Sequence, residues 1–141
     1  KTFEAAEVLV NLINTKRIKN DLCVGSFQQA TIKYMRENIF RDVESAFSMQ
    51  EVLSLFFHRI TKKSGDFAGT CLQIPLKYFG INLITSNLIN YCKKNNIKVH
   101  VWTINDEAVM ARLVELGING IMTDKCRSLL KVLQKQVDFN S

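Results

Sequence analysis

The sequence predicts an α/β fold built on parallel strands, and three observations support this class. Short apolar runs alternate with segments of ten or so residues whose apolar positions recur at helical spacing, as in βαβ units. The 141 residues amount to one domain, with 47% hydrophobic and 23% charged residues. One proline and six glycines argue against low-complexity disorder. This pattern predicts one folding unit with four or five strands, either a partial barrel or a small doubly wound sheet.

The first half of the chain predicts three helices separated by two short strands. Thr2 can cap a helix whose apolar positions run from Phe3 to Ile13, and a second helix places Ile32 and Met35 on one face. The remaining predictions are a strand at 21–27, the second helix at 28–38, a strand at 41–47, a third helix at 49–58 and a polar loop at 61–69.

The second half repeats the alternation with clearer signals. Pro75 ends a short strand, and the stretch from there to residue 85 matches no single pattern. Gly117 ends a helix that Asp106 opens, and the last helix is expected to face inward through Leu129, Leu130 and Leu133. The predicted elements are strands at 71–74, 97–104 and 118–123, a helix that Ser86 caps and that runs to about Asn96, the helix that Asp106 opens, and a last helix that Asp124 caps.

The charge pattern bears on possible partners. The net charge is +6 with a pI near 9.3, but the basic clusters lack the interleaved aromatic residues of nucleic-acid grooves, so nucleic-acid binding is not expected. A modest positive field would attract an anionic ligand. No apolar run approaches the ~20 residues of a membrane span. The sequence leaves any other membrane association open. The basic clusters are Lys16, Arg17 and Lys19; Lys62 and Lys63; and Lys93 and Lys94.

Four widely spaced cysteines are expected to be reduced thiols. Cys23, Cys71, Cys92 and Cys126 form no CxxC pair, so neither a disulfide scaffold nor a structural zinc site is indicated. We expect at least two of them to be buried in strands. This pattern favours a reducing compartment such as the cytoplasm.

Polar and aromatic residues recur where the predicted strands end, which is where parallel α/β folds bind ligands. These residues are Ser26 and Phe27, Gln73 and Pro75, Trp102 and Asn105, and Thr123 and Asp124. For Ser26, Asn105, Asp106 and Asp124 the alternative of ordinary helix capping stays open at this point.

The alternation of side chains along a strand predicts which way Trp102 faces. Val99 and Val101 share one face of their strand, so His100 and Trp102 share the other, with Trp102 at the mouth and His100 one layer deeper. A single histidine in a strand is more often a core residue than a catalytic one, so we expect a core role for His100. No GxSxG elbow, phosphate-binding glycine loop or HExxH motif occurs, so these residues alone support a ligand-binding sheet but not a complete active site.

The last third of the chain carries a specific resemblance. Residues 99–124 (VHVWTINDEAVMARLVELGINGIMTD) resemble the pattern V-x-V-W-T-V/I-N, a helix ending in Leu-Gly, then V/I-D/N-G-I-x-T-D, of the glycerophosphodiester phosphodiesterase family. Upstream, residues 25–37 (GSFQQATIKYMRE) and 72–85 (LQIPLKYFGINLIT) resemble further family segments in the same order. One departure is Cys126, which stands where family members commonly have a proline.

The resemblance implies a fold and an activity. It implies the carboxy-terminal four or five βα units of a single TIM-type (β/α) barrel domain across residues 1–141. It also implies metal-dependent hydrolysis of glycerophosphodiesters to glycerol 3-phosphate and an alcohol. The divalent metal ion, Mg²⁺ or Ca²⁺, and the catalytic histidines would be held by residues upstream of this chain, so this chain alone is expected to be inactive.

For this chain the resemblance implies supporting residues around a small-molecule glycerophosphodiester. Trp102 would wall the substrate pocket, with Ser26, Phe27 and Asn105 shaping its mouth, while Asp124 caps the last helix. A complete barrel of this type needs roughly 200–250 residues. Open strand edges in a shorter chain would favour self-association. Two alternatives stay open: a non-catalytic phosphodiester- or ligand-binding module derived from the same barrel, and an independent small α/β domain.

Overall fold

A computed structural model of the chain describes residues 2–15, 22–61 and 67–139, with side chains to residue 136. Two compact units are present, Lys1–Leu72 and Gln73–Ser141. The helices of the described residues are α1 Phe3–Thr15, α2 Gln29–Asn38, α3 Met49–Thr61, α4 Ser86–Lys94, α5 Glu107–Glu115 and α6 Cys126–Phe139. The strands are β1 Cys23–Val24, β2 Glu44–Ser45, β3 Cys71–Pro75, β4 Lys77–Tyr78, β5 Ile81–Asn82, β6 Lys98–Trp102 and β7 Gly120–Ile121.

The first unit is built on short parallel strand pairings. Strand β1 pairs with β2 in parallel, with Cys23 opposite Glu44, and a further parallel bridge joins Ala46 to Cys71. The helices cover this ladder with apolar side chains, and the expected face of α2, Ile32 and Met35, is buried. The core cluster of the unit is Ala6, Val10, Ile13, Val24, Ile32 and Met35.

The second unit contains a three-stranded sheet in the order β3-β6-β7. Strand β6 pairs with β7 in parallel, with His100 opposite Gly120. Val99 and Val101 are at most 1% exposed, whereas His100 and Trp102 are only half-buried, so the predicted strand parity is confirmed. Helix α4 packs against β6, and α5 packs against α6. Among the described residues, β1, β2, β3, β6 and β7 are each followed by a helix, with the hairpin of β4 and β5 between β3 and α4, and this order confirms the predicted α/β class.

In the second unit, local sequence determines where the helices begin and end. The Asp106 carboxylate accepts a hydrogen bond from the Val109 backbone N–H at 2.9 Å, as an N-cap should. Gly117 has φ 83°, a left-handed conformation that glycine adopts without a Cβ penalty, and it ends α5 as predicted. Helix α4, however, is capped by Thr85 rather than by Ser86. The Thr85 hydroxyl accepts from the Leu88 N–H at 3.2 Å.

The strands are shorter than their apolar runs. Four strands were predicted too long, namely those at 21–27, 41–47, 97–104 and 118–123. In each case the hydrogen-bonded pairing with the neighbouring strand covers only part of the apolar run. The unassigned stretch before residue 85 is an antiparallel hairpin, in which Tyr78 of β4 pairs with Ile81 of β5. Its two turn residues, Phe79 and Gly80, have φ of 46° and 77°.

Of the three leucines predicted to face inward from the last helix, Leu129 is half-buried, but the prediction was wrong for Leu130 and Leu133. Leu130 and Leu133 are 58% and 39% exposed, whereas Val132 is 8% exposed. The contact with α5 instead uses the stripe that continues to Gln136, whose Nε2 donates to the Ala111 carbonyl at 3.4 Å. Residues four apart share a helix face, so burying Val132 turns the two leucines outward.

The four cysteines are free thiols, but their burial differs from the expectation of two buried strand residues. Cys71 is buried in a strand, Cys92 is buried in a helix, Cys23 is half-buried and Cys126 is exposed. Burial, together with the hydrogen bond from the Cys71 thiol to Glu44 Oε2 at 3.2 Å, raises the pKa of Cys71 to about 12. Cys71 is therefore an unreactive core thiol near neutral pH.

Some predictions fall on residues that the structure does not describe. The basic clusters at 16–19 and 62–63 and most of the loop at 61–69 lie outside the described residues, as do the side chains after residue 136. Among the helices that are described, none combines the length and apolarity that crossing a bilayer would require.

Candidate functional site at the strand ends

Trp102 and Asn105 lie at the carboxyl end of β6. Trp102 is the last residue of the strand, is half-buried, and is followed by a cis peptide bond to Thr103. Asn105 stands three residues on, directly before the Asp106 cap of α5. The structure therefore places both predicted site residues of this unit at the strand edge where parallel α/β folds bind ligands.

Asn105 ties this edge to the end of β7. Its Oδ1 accepts hydrogen bonds from the Thr123 hydroxyl at 2.9 Å and from the Asp124 backbone N–H at 3.0 Å, while its Nδ2 donates to Asp124 Oδ2 at 2.9 Å. The Asn105 side-chain amide thus uses its donor and its acceptor to bind both residues of the Thr123–Asp124 segment. We call Asn105, Thr123 and Asp124 the strand-end clamp.

The clamp corrects the capping role predicted for Asp124. Helix α6 begins at Cys126, two residues after Asp124, and the Asp124 carboxylate is engaged by Asn105. The Thr123 hydroxyl instead accepts from the Lys125 N–H at 2.9 Å as the chain turns into α6. Asn105 and Asp124 therefore fix the geometry of the loops around Trp102.

Below Trp102, the same face of the sheet is polar and tightly packed. The His100 ring Nδ1 lies 3.5 Å from Gln73 Nε2, the outer limit of a hydrogen bond. A Cβ at Gly120 would lie 2.9 Å from His100 Cδ2, so the glycine leaves the space that the ring occupies. His100 is thus a positioned, half-buried side chain beneath the tryptophan, in keeping with the core role favoured by the sequence.

Ser26 and Phe27 belong to the first unit and follow β1. The Ser26 hydroxyl accepts a hydrogen bond from the Gln28 backbone N–H at 3.2 Å, in the turn before α2. Phe27 is 62% exposed. The structure places both at a strand end, as predicted. Their contact with substrate stays a prediction.

The first unit also contains a half-buried ion pair that was not predicted from the sequence. Arg36 donates to both oxygens of Glu51 at 3.1 and 2.9 Å, and also to Ser45 Oγ and the Ala46 carbonyl. Glu51 in turn accepts from the Ser48 and Gly69 backbone N–H groups at 2.8 and 3.0 Å. The local signal was the Ser48-x-x-Glu51 capping box, whose reciprocal bond from the Glu51 N–H to Ser48 Oγ is 3.3 Å.

The protonation of Glu51 follows from these contacts. Burial alone would raise the pKa of its carboxyl, but the hydrogen bonds from Arg36 and Ser48 and the Arg36 charge outweigh that effect. The pKa of Glu51 is therefore held below its ordinary value of 4.5. The pair stabilises the junction of α2, β2 and α3 and is not a catalytic arrangement.

The arrangement of the His, Cys, Asp and Glu side chains that the structure describes bears on metal ligation. Within residues 2–15, 22–61 and 67–136, no three His, Cys, Asp or Glu side chains come together to hold a metal ion. The residues present here do not fit a divalent metal, so we derive no catalytic step through one.

The fold and the strand-end motif define the class to which this chain belongs. The sequence pattern of the glycerophosphoryl diester phosphodiesterase family matches residues 4–128. The chain belongs to that family.

Two relatives illustrate the likeness in sequence. A Mycobacterium tuberculosis protein named "probable glycerophosphodiester phosphodiesterase 2" is 26% identical over 139 residues, which cover 94% of this chain and 52% of that protein. A glycerophosphodiester phosphodiesterase of Caldanaerobacter subterraneus is 35% identical over 57 residues, 40% of this chain and 23% of that protein. The chain thus spans about half the length of the first of these relatives.

Solved structures show the same fold. A phosphodiesterase of Oleispira antarctica, in complex with the product sn-glycerol-3-phosphate, matches 94% of this chain and 50% of its own with a TM-score of 0.67 at 16% identity. The glycerophosphodiester phosphodiesterase of Thermotoga maritima matches 95% of this chain and 54% of its own, with a TM-score of 0.61 at 22% identity. These matches confirm the partial TIM-type barrel.

Proposed function

We propose that the gene product containing this chain hydrolyses glycerophosphodiesters to glycerol 3-phosphate and an alcohol, and that this chain supplies part of the substrate wall. Family membership over residues 4–128 is the observation that carries the proposal. In the reaction, water adds to phosphorus, the bond from phosphorus to the alcohol oxygen breaks, and the alcohol leaves with a proton. A divalent metal ion, Mg²⁺ or Ca²⁺, would neutralise the phosphate oxygens and is assigned to residues outside this chain.

The edge that β6 and β7 share supports the role proposed for this chain. The Trp102 indole offers an apolar surface for the carbon chain of a glycerol group, and the strand-end clamp holds the loops beside it. The second unit carries nine Lys and Arg residues against five Asp and Glu, a net charge of +4, which favours approach of an anionic phosphodiester. Trp102 thus binds and orients substrate, and the bond-breaking groups lie elsewhere.

The direct test is release of sn-glycerol 3-phosphate from glycerophosphocholine by the gene product, with and without a metal chelator. We expect release that the chelator abolishes and that added Mg²⁺ or Ca²⁺ restores. Release that persists in excess chelator would overturn the metal dependence. Absence of release under all conditions, with binding of the phosphodiester retained, would favour the non-catalytic binding module.

A further inference from the structure

The hairpin of β4 and β5 exposes an apolar tip at the strand-end edge. Tyr78, Phe79 and Ile81 are 57%, 88% and 69% exposed. The Tyr78 and Phe79 rings lie 4.6 Å apart at 71°, so the two aromatic groups form one surface. We call these three side chains the hairpin tip. They are large, contiguous and directed away from the packed core of their unit.

The backbone at the tip gives a second, independent observation. The two turn residues, Phe79 and Gly80, both have positive φ, the pattern of a type I′ turn, in which Asn-Gly is the preferred pair. A bulky residue at φ 46° is conformationally costly, and Phe79 has no burial to offset that cost. A phenylalanine at this position therefore indicates a role for its side chain outside the fold.

The charge around the tip identifies the kind of surface that fits it. Lys77 begins the hairpin and is exposed, opposite Asn82 in the ladder. From residue 67 to residue 105 the sequence contains no Asp or Glu, so the hairpin itself carries no carboxylate. The carboxylates at this edge of the unit, Asp106, Glu107 and Asp124, follow β6 and β7. Aromatic and aliphatic side chains beside a lysine are typical of segments that enter the headgroup layer of an anionic bilayer.

The topology places the tip close to the proposed substrate wall. The hairpin follows the carboxyl end of β3, and β3 is the sheet neighbour of β6, which ends at Trp102. Because successive βα units bring the carboxyl ends of their strands to one edge, the hairpin and Trp102 lie on the same edge of the second unit.

We propose that the hairpin tip inserts into the surface of an anionic phospholipid bilayer, with Lys77 at the level of the lipid phosphates. Phe79 and Ile81 enter the boundary between headgroups and acyl chains, and the Tyr78 ring lies at the headgroup level. Insertion brings the Trp102 edge to the membrane. The inference does not depend on hydrolysis, since docking needs only the hairpin.

The test is vesicle flotation of the gene product that contains this chain. Vesicles of phosphatidylcholine alone are compared with vesicles in which half of the lipid is phosphatidylglycerol. We expect binding to the mixed vesicles and about fivefold weaker binding when Lys77→Gln removes the cation, with no change on phosphatidylcholine alone. The key variant is Phe79→Asn, which removes the apolar tip while supplying the residue that the turn prefers.

Phe79→Asn is expected to weaken vesicle binding about tenfold, because the variant lacks the aromatic side chain that would enter the bilayer. Its melting temperature should equal or exceed that of the wild type. The matched control is Phe40→Asn, because Phe40 is 81% exposed and lies in the other unit. It should leave vesicle binding unchanged. Three outcomes overturn the proposal: wild-type binding by Phe79→Asn, failure of the wild type to bind mixed vesicles, or a wild-type dimer that Phe79→Asn dissociates, which would assign the tip to a second copy.

Discussion

The side-chain amide of Asn105 and the carboxylate of Asp124 form a hydrogen bond of 2.9 Å that joins the loop after β6 to the loop after β7. The Asn105 carbonyl oxygen accepts two further hydrogen bonds from the same segment. The two halves of the family motif, VWTIN and GIMTD, are therefore one structural unit. We propose that Asn105 positions the loops beside Trp102.

The substitution Asn105→Ala should lower the free energy of unfolding by about 1–2 kcal/mol, because three hydrogen bonds at an exposed site are replaced by water contacts. Urea unfolding measures the change. The control Asn90→Ala, at an exposed position of α4, should stay within about 0.5 kcal/mol of the wild type. Equal effects of the two substitutions would contradict the clamp.

The substitution Glu51→Gln should lower the free energy of unfolding by about 3 kcal/mol, because it leaves the largely buried Arg36 guanidinium without its counter-charge. Glu37→Gln is the matched control. The Lys33–Glu37 pair is 3.8 Å long with both side chains more than 60% exposed, and such pairs contribute little. An effect of Glu51→Gln no larger than that of the control would show that the Arg36 pair is not stabilising.

Acid should weaken the first unit through the same carboxylate. The folded-state pKa of Glu51 lies below its ordinary value of 4.5, so its stabilisation is fully present above pH 4.5. It is lost as the pH falls through the folded-state pKa, since the unfolded chain then binds more protons. Unfolding free energies measured along this range should decline less in Glu51→Gln than in the wild type. Identical slopes would exclude Glu51 as the responsible group.

The sequence predicted the second unit best where the signals were local. Three predicted features that depend on a few neighbouring residues are present in the structure. They are the N-cap at Asp106, the end of α5 at Gly117, and the burial of Val99 and Val101 on one face of β6. Strand ends were predicted poorly, because the ladder stops where the neighbouring strand stops and not where apolar residues run out. That information is nonlocal.

Two further features had weak signals or none. The hairpin was missed because Phe79 in a left-handed conformation lacks the usual Asn-Gly signature of such a turn. The Arg36–Glu51 pair joins residues 15 positions apart. The Ser48 capping box is a local sequence signal for the position of Glu51, but no local signal indicates its pairing with Arg36. Among the site residues, strand-end positions were predictable for Ser26 and Trp102, whereas the bond from Asn105 to Asp124 required the register of β6 and β7.

The contact between Gly120 and His100 leads to a prediction about packing. Gly120→Ala places a methyl group against the His100 ring, so it should lower the free energy of unfolding by about 1–3 kcal/mol. In the His100→Ala background the same substitution should have little effect, because the ring is gone. A double-mutant cycle measured by urea unfolding gives the coupling. Additive effects would contradict the packing described for this face.

The measurement closest to the central claim is the kcat/KM of the gene product for glycerophosphocholine when Trp102 is changed. Trp102 is the only tryptophan in the chain, and we place its ring against the glycerol group. Trp102→Ala should lower kcat/KM about tenfold or more, mainly through KM, while Trp102→Phe keeps most of the activity. Phe40→Ala, at an exposed site of the other unit, serves as the control and should match the wild type. A folded Trp102→Ala protein with wild-type kcat/KM would contradict the assignment of this chain to the substrate wall.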